Sequence, residues 1–173
     1  MTRLQIGRAT RWGVLFAALV ILQVVFAPLL ALWGVTPDFV LVGLLFLAAL
    51  EGRLPAVLTG FSTGIVLDIA AGEVIGLSAL AKTLAGFTAG FQFQPHLEGQ
   101  RIRPVIFMLY AAGVSVLHNL IFLLSYFRSL NISLLSLLFS HCFGAALYHT
   151  FIAAIVLLII SRRKQGIAME ARP

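Results

Sequence analysis

Four ionisable side chains lie within long apolar stretches of the sequence, where burying a charge or an imidazole is costly. Lys82 lies near the middle of one stretch, and a lysine at bilayer depth costs about 2.5–3.5 kcal/mol. His118, His141 and His149 lie in later stretches. By residue type these histidines suit a metal site or a proton relay. We expect them instead to be buried side chains hydrogen-bonded to neighbouring groups, because sequence alone gives no ligand geometry across separate helices.

The cost of burying Lys82 predicts that it faces a bundle interior, a partner or a water-filled cavity. Asp68 could pair with it, but the lysine stem would then have to reach outward by about two turns. The alternative is an ammonium that points at water without an ionic partner. The candidate buried polar side chains are Lys82, His118, Asn119, His141 and His149.

Small residues and one acid share a stripe in the third apolar stretch. Gly60, Gly64 and Asp68 are spaced i, i+4 and i+8, so they lie along one face of a helix. Glycines at this spacing let a second backbone approach closely, either from this chain or from a partner. We expect Asp68 to fix the turn that follows at Gly72, before Gly76 opens the next apolar run.

The composition places the chain in the membrane. Hydrophobic residues make up 61% and charged residues 10%, whereas soluble domains carry about 25% charged residues. The apolar runs are unbroken, which favours helices over the alternating strands of a barrel. The net charge of +6 comes from basic residues near helix ends, so it indicates membrane topology rather than nucleic-acid binding. The single Cys142 excludes an internal disulfide or a cysteine metal cluster.

The apolar runs predict an all-α integral membrane protein with six crossings in a single domain over 1–173. The approximate spans are 12–33, 38–50, 54–69, 74–91, 104–127 and 134–160. Pro37 and Asp38 begin the second span, because proline suits a first helical turn and a carboxylate suits the positive end of the helix dipole.

The distribution of basic residues predicts that both termini are cytoplasmic. Six crossings would leave only Arg128 on the outer side, with Asp38, Asp68 and Glu73. Short inner segments carry most of the lysine and arginine in multi-pass membrane proteins. The inner side would hold Arg3, Arg8, Arg11, Arg53, Arg101, Arg103, Arg162, Arg163, Lys164 and Arg172.

Enzyme signatures are missing from the sequence. It contains no HExxH, P-loop or GxSxG motif, and no paired-aspartate motif of phosphotransferases. We therefore expect neither an enzyme nor a protein with a resident cofactor or metal.

The order of several residues resembles a known family. Pro37-Asp38 at a helix start, followed by Gly60, Gly64, Asp68, Gly72 and Gly76, is similar to the bacterial rod shape-determining protein MreD family. The resemblance implies that these residues serve helix packing or partner binding. It also implies a non-enzymatic scaffold of the cell-elongation machinery in the inner membrane, which supports lateral peptidoglycan synthesis. The implied partners are MreC and, directly or indirectly, the MreB filament and the complex of RodA with its penicillin-binding protein.

A second function fits the same helix layout. Energy-coupling-factor S-components are also six-helix bundles with both termini inside, so the alternative is a substrate-binding subunit of a vitamin transporter. Such a pocket would need polar side chains converging from the outer end, where the sequence offers few of them. A small integral membrane enzyme is a third class. The sequence therefore favours the scaffold.

Overall fold

The computed structural model describes residues 3–32, 34–72, 74–92, 104–126 and 142–170, which are helical apart from short turns. The α-helices of the described ranges are α1 Arg3–Val25, α2 Phe39–Glu51, α3 Arg53–Ala71, α4 Leu77–Gln92, α5 Pro104–Tyr126 and α6 Gly144–Glu170, with a 3₁₀ turn at Ala27–Leu30. The predicted all-helical class is confirmed.

Within the described residues, four helices are long and apolar enough to cross a membrane. Their apolar segments are Ile6–Val25, Arg53–Ala71, Pro104–Leu123 and Gly144–Arg162. The remaining two, α2 and α4, have 13 and 16 residues. These lengths fall below the roughly 20 residues of an ordinary crossing. Six crossings therefore remain a prediction.

The short helix α2 forms the centre of the bundle. Eight of its residues, among them Leu41, Leu44 and Leu47, are buried. It contacts each of the other five α-helices. At 1.5 Å per residue it is about 20 Å long. Because protein rather than lipid covers its sides, its length need not match the thickness of the hydrocarbon core.

Helices α3 and α4 pack together at a distance that only glycine allows. A Cβ atom at Gly64 would overlap the backbone of Ala79, and one at Gly60 would overlap the carbonyl of Lys82. The contact continues toward the other end of the pair, where a Cβ at Gly86 or Gly90 would overlap the backbone of α3. The stripe of small residues thus meets another helix of the same chain.

The helix boundaries differ from the predicted spans mainly at the first and last helices. The sequence predicts a first span over 12–33, but α1 ends at Val25 and a 3₁₀ turn containing Pro28 follows. Proline lacks the N–H group that would continue the α-helix. The last helix reaches Glu170 rather than 160, and the predicted start of this span at 134 lies outside the described residues.

Candidate functional site

The start of α2 brings together four of the buried titratable side chains of the described residues, Asp38, Lys82, His118 and His149. Asp38 is the N-cap of α2, and its Oδ1 accepts a hydrogen bond from the backbone N–H of Leu41 at 2.8 Å. Pro37, directly before it, is fully buried. This N-cap bond uses one carboxylate oxygen, so Oδ2 is available to groups from other helices.

Lys82 of α4 supplies the partner of Asp38. Its Nζ lies 2.6 Å from Asp38 Oδ2, and the two side chains are 3% and 11% exposed. Lys82 is the sixth residue of α4, about 8 Å along the helix from its first residue. An ammonium and a carboxylate in direct contact compensate each other's charge, which lowers the cost of keeping both away from water.

His118 of α5 stands beside this ion pair. Its Nε2 lies 3.5 Å from Lys82 Nζ and 3.6 Å from Asp38 Oδ2. Because an ammonium can only donate, Nε2 is the acceptor in its contact with Lys82, and the ring proton is assigned to Nδ1 on that ground. Among the described residues, three buried side-chain atoms have no hydrogen-bond partner: His118 Nδ1, Ser115 Oγ and His149 Nδ1.

His149 brings α6 to the same point. Its Nε2 accepts a hydrogen bond from the backbone N–H of Asp38 at 2.9 Å, and the residue is 1% exposed. That amide belongs to the N-cap residue of α2, whose N–H has no partner within its own helix. The imidazole therefore satisfies a buried backbone donor.

Gln23 of α1 completes the attachment of this segment. Its Nε2 donates to the carbonyl of Pro37 at 2.9 Å, and its Oε1 accepts from the N–H of Phe39 at 2.7 Å. The backbone on both sides of Asp38 is thus held by one amide side chain. We call Asp38, Lys82, His118 and His149 the buried polar cluster. Together with Gln23 it joins α2 to α1, α4, α5 and α6.

The contacts within the buried polar cluster hold the helices of the chain to one another. The described residues contain no group of three or more histidine, cysteine or acidic side chains placed to hold a metal ion. The Asp38 carboxylate is divided between a helix cap and an ion pair, and the Lys82 ammonium contacts the carboxylate and an imidazole. Breaking any of these contacts would leave a buried polar group unpaired, which is costly in a low-dielectric interior.

Asp68 has a separate task at the turn between α3 and α4. Its carboxylate accepts hydrogen bonds from the backbone N–H groups of Gly76, Ser78 and Ala79, at 2.8, 2.9 and 3.4 Å. These are the free amides at the start of α4, where a negative charge is favourable. Asp68 therefore holds the turn, and the structure pairs Lys82 with Asp38 rather than with Asp68.

The same turn uses two glycines in backbone conformations that other residues rarely adopt. Gly72 ends α3 with φ of 66°, and Gly76 precedes α4 with φ of 101°. A left-handed residue after a helix is usually glycine, since it has no Cβ to clash. Both glycines thus let the chain reverse within a few residues and deliver the amide of Gly76 to Asp68.

The remaining candidates lie elsewhere. Asn119 is half-buried and donates to the backbone carbonyl of Ser115 at 2.8 Å, one turn earlier in α5. It is not bonded to the buried polar cluster. His141 lies outside the described residues. Gln23 was missed by the sequence reasoning, although a lone amide inside an apolar run is a usable signal of a buried hydrogen-bonding role.

Polar contacts also occur at the opposite end of α2. Glu51 Oε1 accepts from Trp12 Nε1 at 2.9 Å and lies 3.5 Å from Nε of Arg8, whose side chain is 70% exposed. The guanidinium of Arg53 lies 5.2 Å from the ring centroids of Phe87 and Phe91 on α4. Basic and aromatic side chains of this kind suit the boundary between lipid and water.

Comparison with known proteins identifies a family. The sequence model of the family described as rod shape-determining protein MreD matches residues 5–163 of the 173-residue chain. No curated protein and no solved structure matches the chain. The matched region contains the whole buried polar cluster, Asp68 and the glycines of the α3–α4 contact.

Proposed function

We propose, from the premise that this chain belongs to the rod shape-determining protein MreD family, that it is a non-enzymatic membrane scaffold of the bacterial cell-elongation machinery. The observation that carries this proposal is the family match over residues 5–163. The family has a role in determining rod shape, and the resemblance noted between Pro37 and Gly76 is confirmed by the match. The finer steps, namely MreC binding and support of lateral peptidoglycan synthesis, are part of the proposal.

The way in which the chain uses its buried charges supports a scaffold. Asp38 and Lys82 bind each other, and Asp68 binds the amides of α4. Each of these groups is occupied in holding one helix of the chain to another. A scaffold has to present fixed helix faces to its partners, and internal contacts of this kind keep the helices in one arrangement.

We extend the proposal to six crossings in a single domain over 1–173, with both termini cytoplasmic. The charge distribution supports it, since short inner segments carry the lysine and arginine in multi-pass membrane proteins. The enclosed position of α2 supports it too, because a helix surrounded by protein can be shorter than the bilayer core. This topology puts the start of α2, with Asp38, toward the outer side, and Arg53 toward the inner side.

Multi-pass placement in the bacterial inner membrane completes the proposal. Family membership and four apolar helices suggest a multi-pass membrane protein. The proposed partners are MreC, through contacts between membrane helices or outer segments, and the MreB filament and the RodA complex, directly or through MreC. Helix packing between membrane proteins depends on complementary surfaces, so partner binding should require an intact bundle.

The test is a depletion and rescue experiment in a rod-shaped host, combined with a pull-down in mild detergent. Wild-type protein should restore rod shape and retain MreC. The variants Lys82→Met and Asp38→Asn should retain less MreC and restore shape poorly at matched membrane levels, because each leaves a buried polar partner unpaired. Arg8→Met is the matched control, since Arg8 is an exposed member of a surface ion pair, and it should behave as wild type.

Two results would contradict the scaffold proposal. One is rod shape in cells that lack the protein. The other is a purified protein that retains a small molecule but no MreC, which is the outcome that a vitamin-binding subunit predicts. The similarity to S-components receives no support from the comparisons, because no solved structure matches; it remains a prediction.

A further inference from the structure

An apolar groove of about 380 Å³ lies between α4 and α5. It is lined by Thr88 of α4 and by Leu109, Tyr110, Gly113, Val114 and Leu117 of α5. Gly113 leaves part of it open, since a Cβ built there would have no atom within 4 Å. This separates Gly113 from the glycines of the α3–α4 contact, where a neighbouring backbone fills the space.

The position of the groove along the helices limits what can fill it. In the proposed topology α5 begins at the inner surface, so Leu109 to Leu117 lie about 8 to 20 Å from its first residue. Thr88, four residues before the end of α4, lies about 6 Å from that end, close to the level of Leu109. The groove thus runs from the inner boundary toward the middle of a hydrocarbon core roughly 30 Å thick. One leaflet's acyl chain occupies that depth.

A basic side chain of α3, Arg53, lies against the inner end of α4, on the turn that also carries Thr88. Arg53 is exposed, and its guanidinium rests against the rings of Phe87 and Phe91 at 5.2 Å. Among the described residues no carboxylate is paired with it. Stacking on the rings fixes the stem of the side chain and leaves the N–H groups for an anion, and a guanidinium binds phosphate well.

We propose that this groove binds an acyl chain of an anionic phospholipid from the inner leaflet, whose phosphate pairs with Arg53. The occupant follows from the combination of an apolar groove that ends near the bilayer centre and, near its inner end, a guanidinium that no carboxylate of the described residues pairs with. The inner surface of a bacterial membrane carries anionic lipid, which basic residues attract. The proposal rests on the proposed topology but not on the proposed scaffold role.

The test measures lipid retention by native mass spectrometry of the full chain purified in mild detergent. The protein is titrated with phosphatidylglycerol and with phosphatidylcholine of identical acyl chains. Wild-type protein should retain phosphatidylglycerol about fivefold more tightly, the size of effect expected for one basic residue near an anionic surface. Arg53→Gln should remove that preference and leave the retention of phosphatidylcholine unchanged.

A pair of glycine variants tests the groove itself. Gly113→Leu places a side chain in the open space and should lower the retention of both lipids. Gly13→Leu on α1 is the matched control, because Gly13 also lies within a helix and has no atom within 4 Å of a built Cβ. It should retain both lipids as wild type does. Equal unfolding midpoints of the two variants show that a difference in retention arises from the groove.

Three outcomes would overturn the proposal. Equal retention of the two lipids by wild-type protein means adventitious lipid only. Unchanged retention in Gly113→Leu means that the lipid binds elsewhere. Loss of a co-purifying single-span protein in Gly113→Leu, with lipid retention intact, means that the groove receives a partner's helix. Rod-shape rescue is scored separately, so a failed lipid site leaves the scaffold proposal standing.

Discussion

At the scale of single residues, the position of Asp38 explains why several costly groups are buried together. One carboxylate caps α2 through Oδ1 and pairs with Lys82 through Oδ2, while its own backbone N–H binds His149. The Lys82 ammonium balances the charge of the carboxylate, and His149 accepts the hydrogen bond of the Asp38 amide. The interior therefore contains a compensated ion pair. Such a pair adds little stability over apolar residues of similar volume, but losing one partner is severe.

The first prediction concerns the cost of removing one partner of the ion pair while the other stays buried. Asp38→Asn should destabilise the protein by about 3–5 kcal/mol, because the Lys82 ammonium would stay buried without a counter-charge. The amide oxygen still accepts the N-cap bond from Leu41, so the loss reports the charge rather than the cap. The measurement is the thermal unfolding midpoint of the purified protein in detergent.

Removing both charges provides the control. The double variant Asp38→Asn with Lys82→Met should be more stable than either single variant, since neither residue then leaves a charge unpaired. Arg8→Met, which breaks an exposed ion pair with Glu51, should shift the midpoint little. Additive losses in the double variant would show that the two residues act independently.

The second prediction concerns Asp68. Asp68→Ala removes the acceptor of three backbone amides at the start of α4, and capping losses run about 0.5–2 kcal/mol each. We expect a lower unfolding midpoint with the protein still inserted, and partial recovery with Asp68→Asn, which keeps one acceptor oxygen. An unchanged midpoint for Asp68→Ala would mean that water can replace the carboxylate at this turn.

At the scale of helices, the α3–α4 pair shows how small residues determine packing in lipid. The hydrophobic effect does not drive two helices together within the bilayer, so close packing has to supply the attraction. Glycines on both helices, at 60 and 64 and at 86 and 90, allow backbone contact along most of the pair. This packing places Lys82, on α4, beside Asp38 at the start of α2.

The third prediction tests this contact. Gly64→Leu should prevent α3 and α4 from approaching, because even a Cβ at this position would overlap the backbone of Ala79. We expect poor membrane accumulation and a lower unfolding midpoint. Gly13→Ala is the matched control: its Cβ meets no atom within 4 Å, and alanine favours a helix by up to about 1 kcal/mol. Equal midpoints for Gly64→Leu and wild type would exclude a tight α3–α4 contact.

The helices of this chain can be predicted from its sequence more easily than the contacts between them. Long apolar runs and the cost of burying Lys82 are local properties, so helix positions and the need for an interior location could be predicted. The partner of Lys82 could not, because Asp38 lies 44 positions away and the pairing depends on how the helices pack. Asp68, the other acid weighed as a partner of Lys82, instead accepts hydrogen bonds from the amides at the start of α4. The predicted first span runs past Pro28 to 33, whereas α1 ends at Val25, because apolar composition alone does not show where a proline ends a helix.

At the scale of the whole molecule, polar contacts connect α2 to the bundle at both ends. Glu51 holds α1 through Trp12 and Arg8, while the buried polar cluster and Gln23 hold the start of the helix. A short apolar helix attached at both ends and enclosed by its neighbours can occupy the bundle centre without contacting lipid. Such an enclosed position would allow a crossing by as few as 13 residues, so the proposed topology can be tested directly.

The last prediction tests the six-crossing topology with single cysteines. The native Cys142 is first replaced by alanine, and Glu73→Cys or Gln94→Cys is introduced on either side of α4. A membrane-impermeant maleimide added to intact cells should label position 73 but not position 94, and permeabilised cells should show both. The reason is that Arg101 and Arg103 follow position 94, and short segments rich in arginine stay on the cytoplasmic side. Labelling of position 94 but not of position 73 would mean that the orientation is the reverse of the proposed one. Arg53 would then lie at the outer surface, and the proposed lipid site in the inner leaflet would be wrong as well.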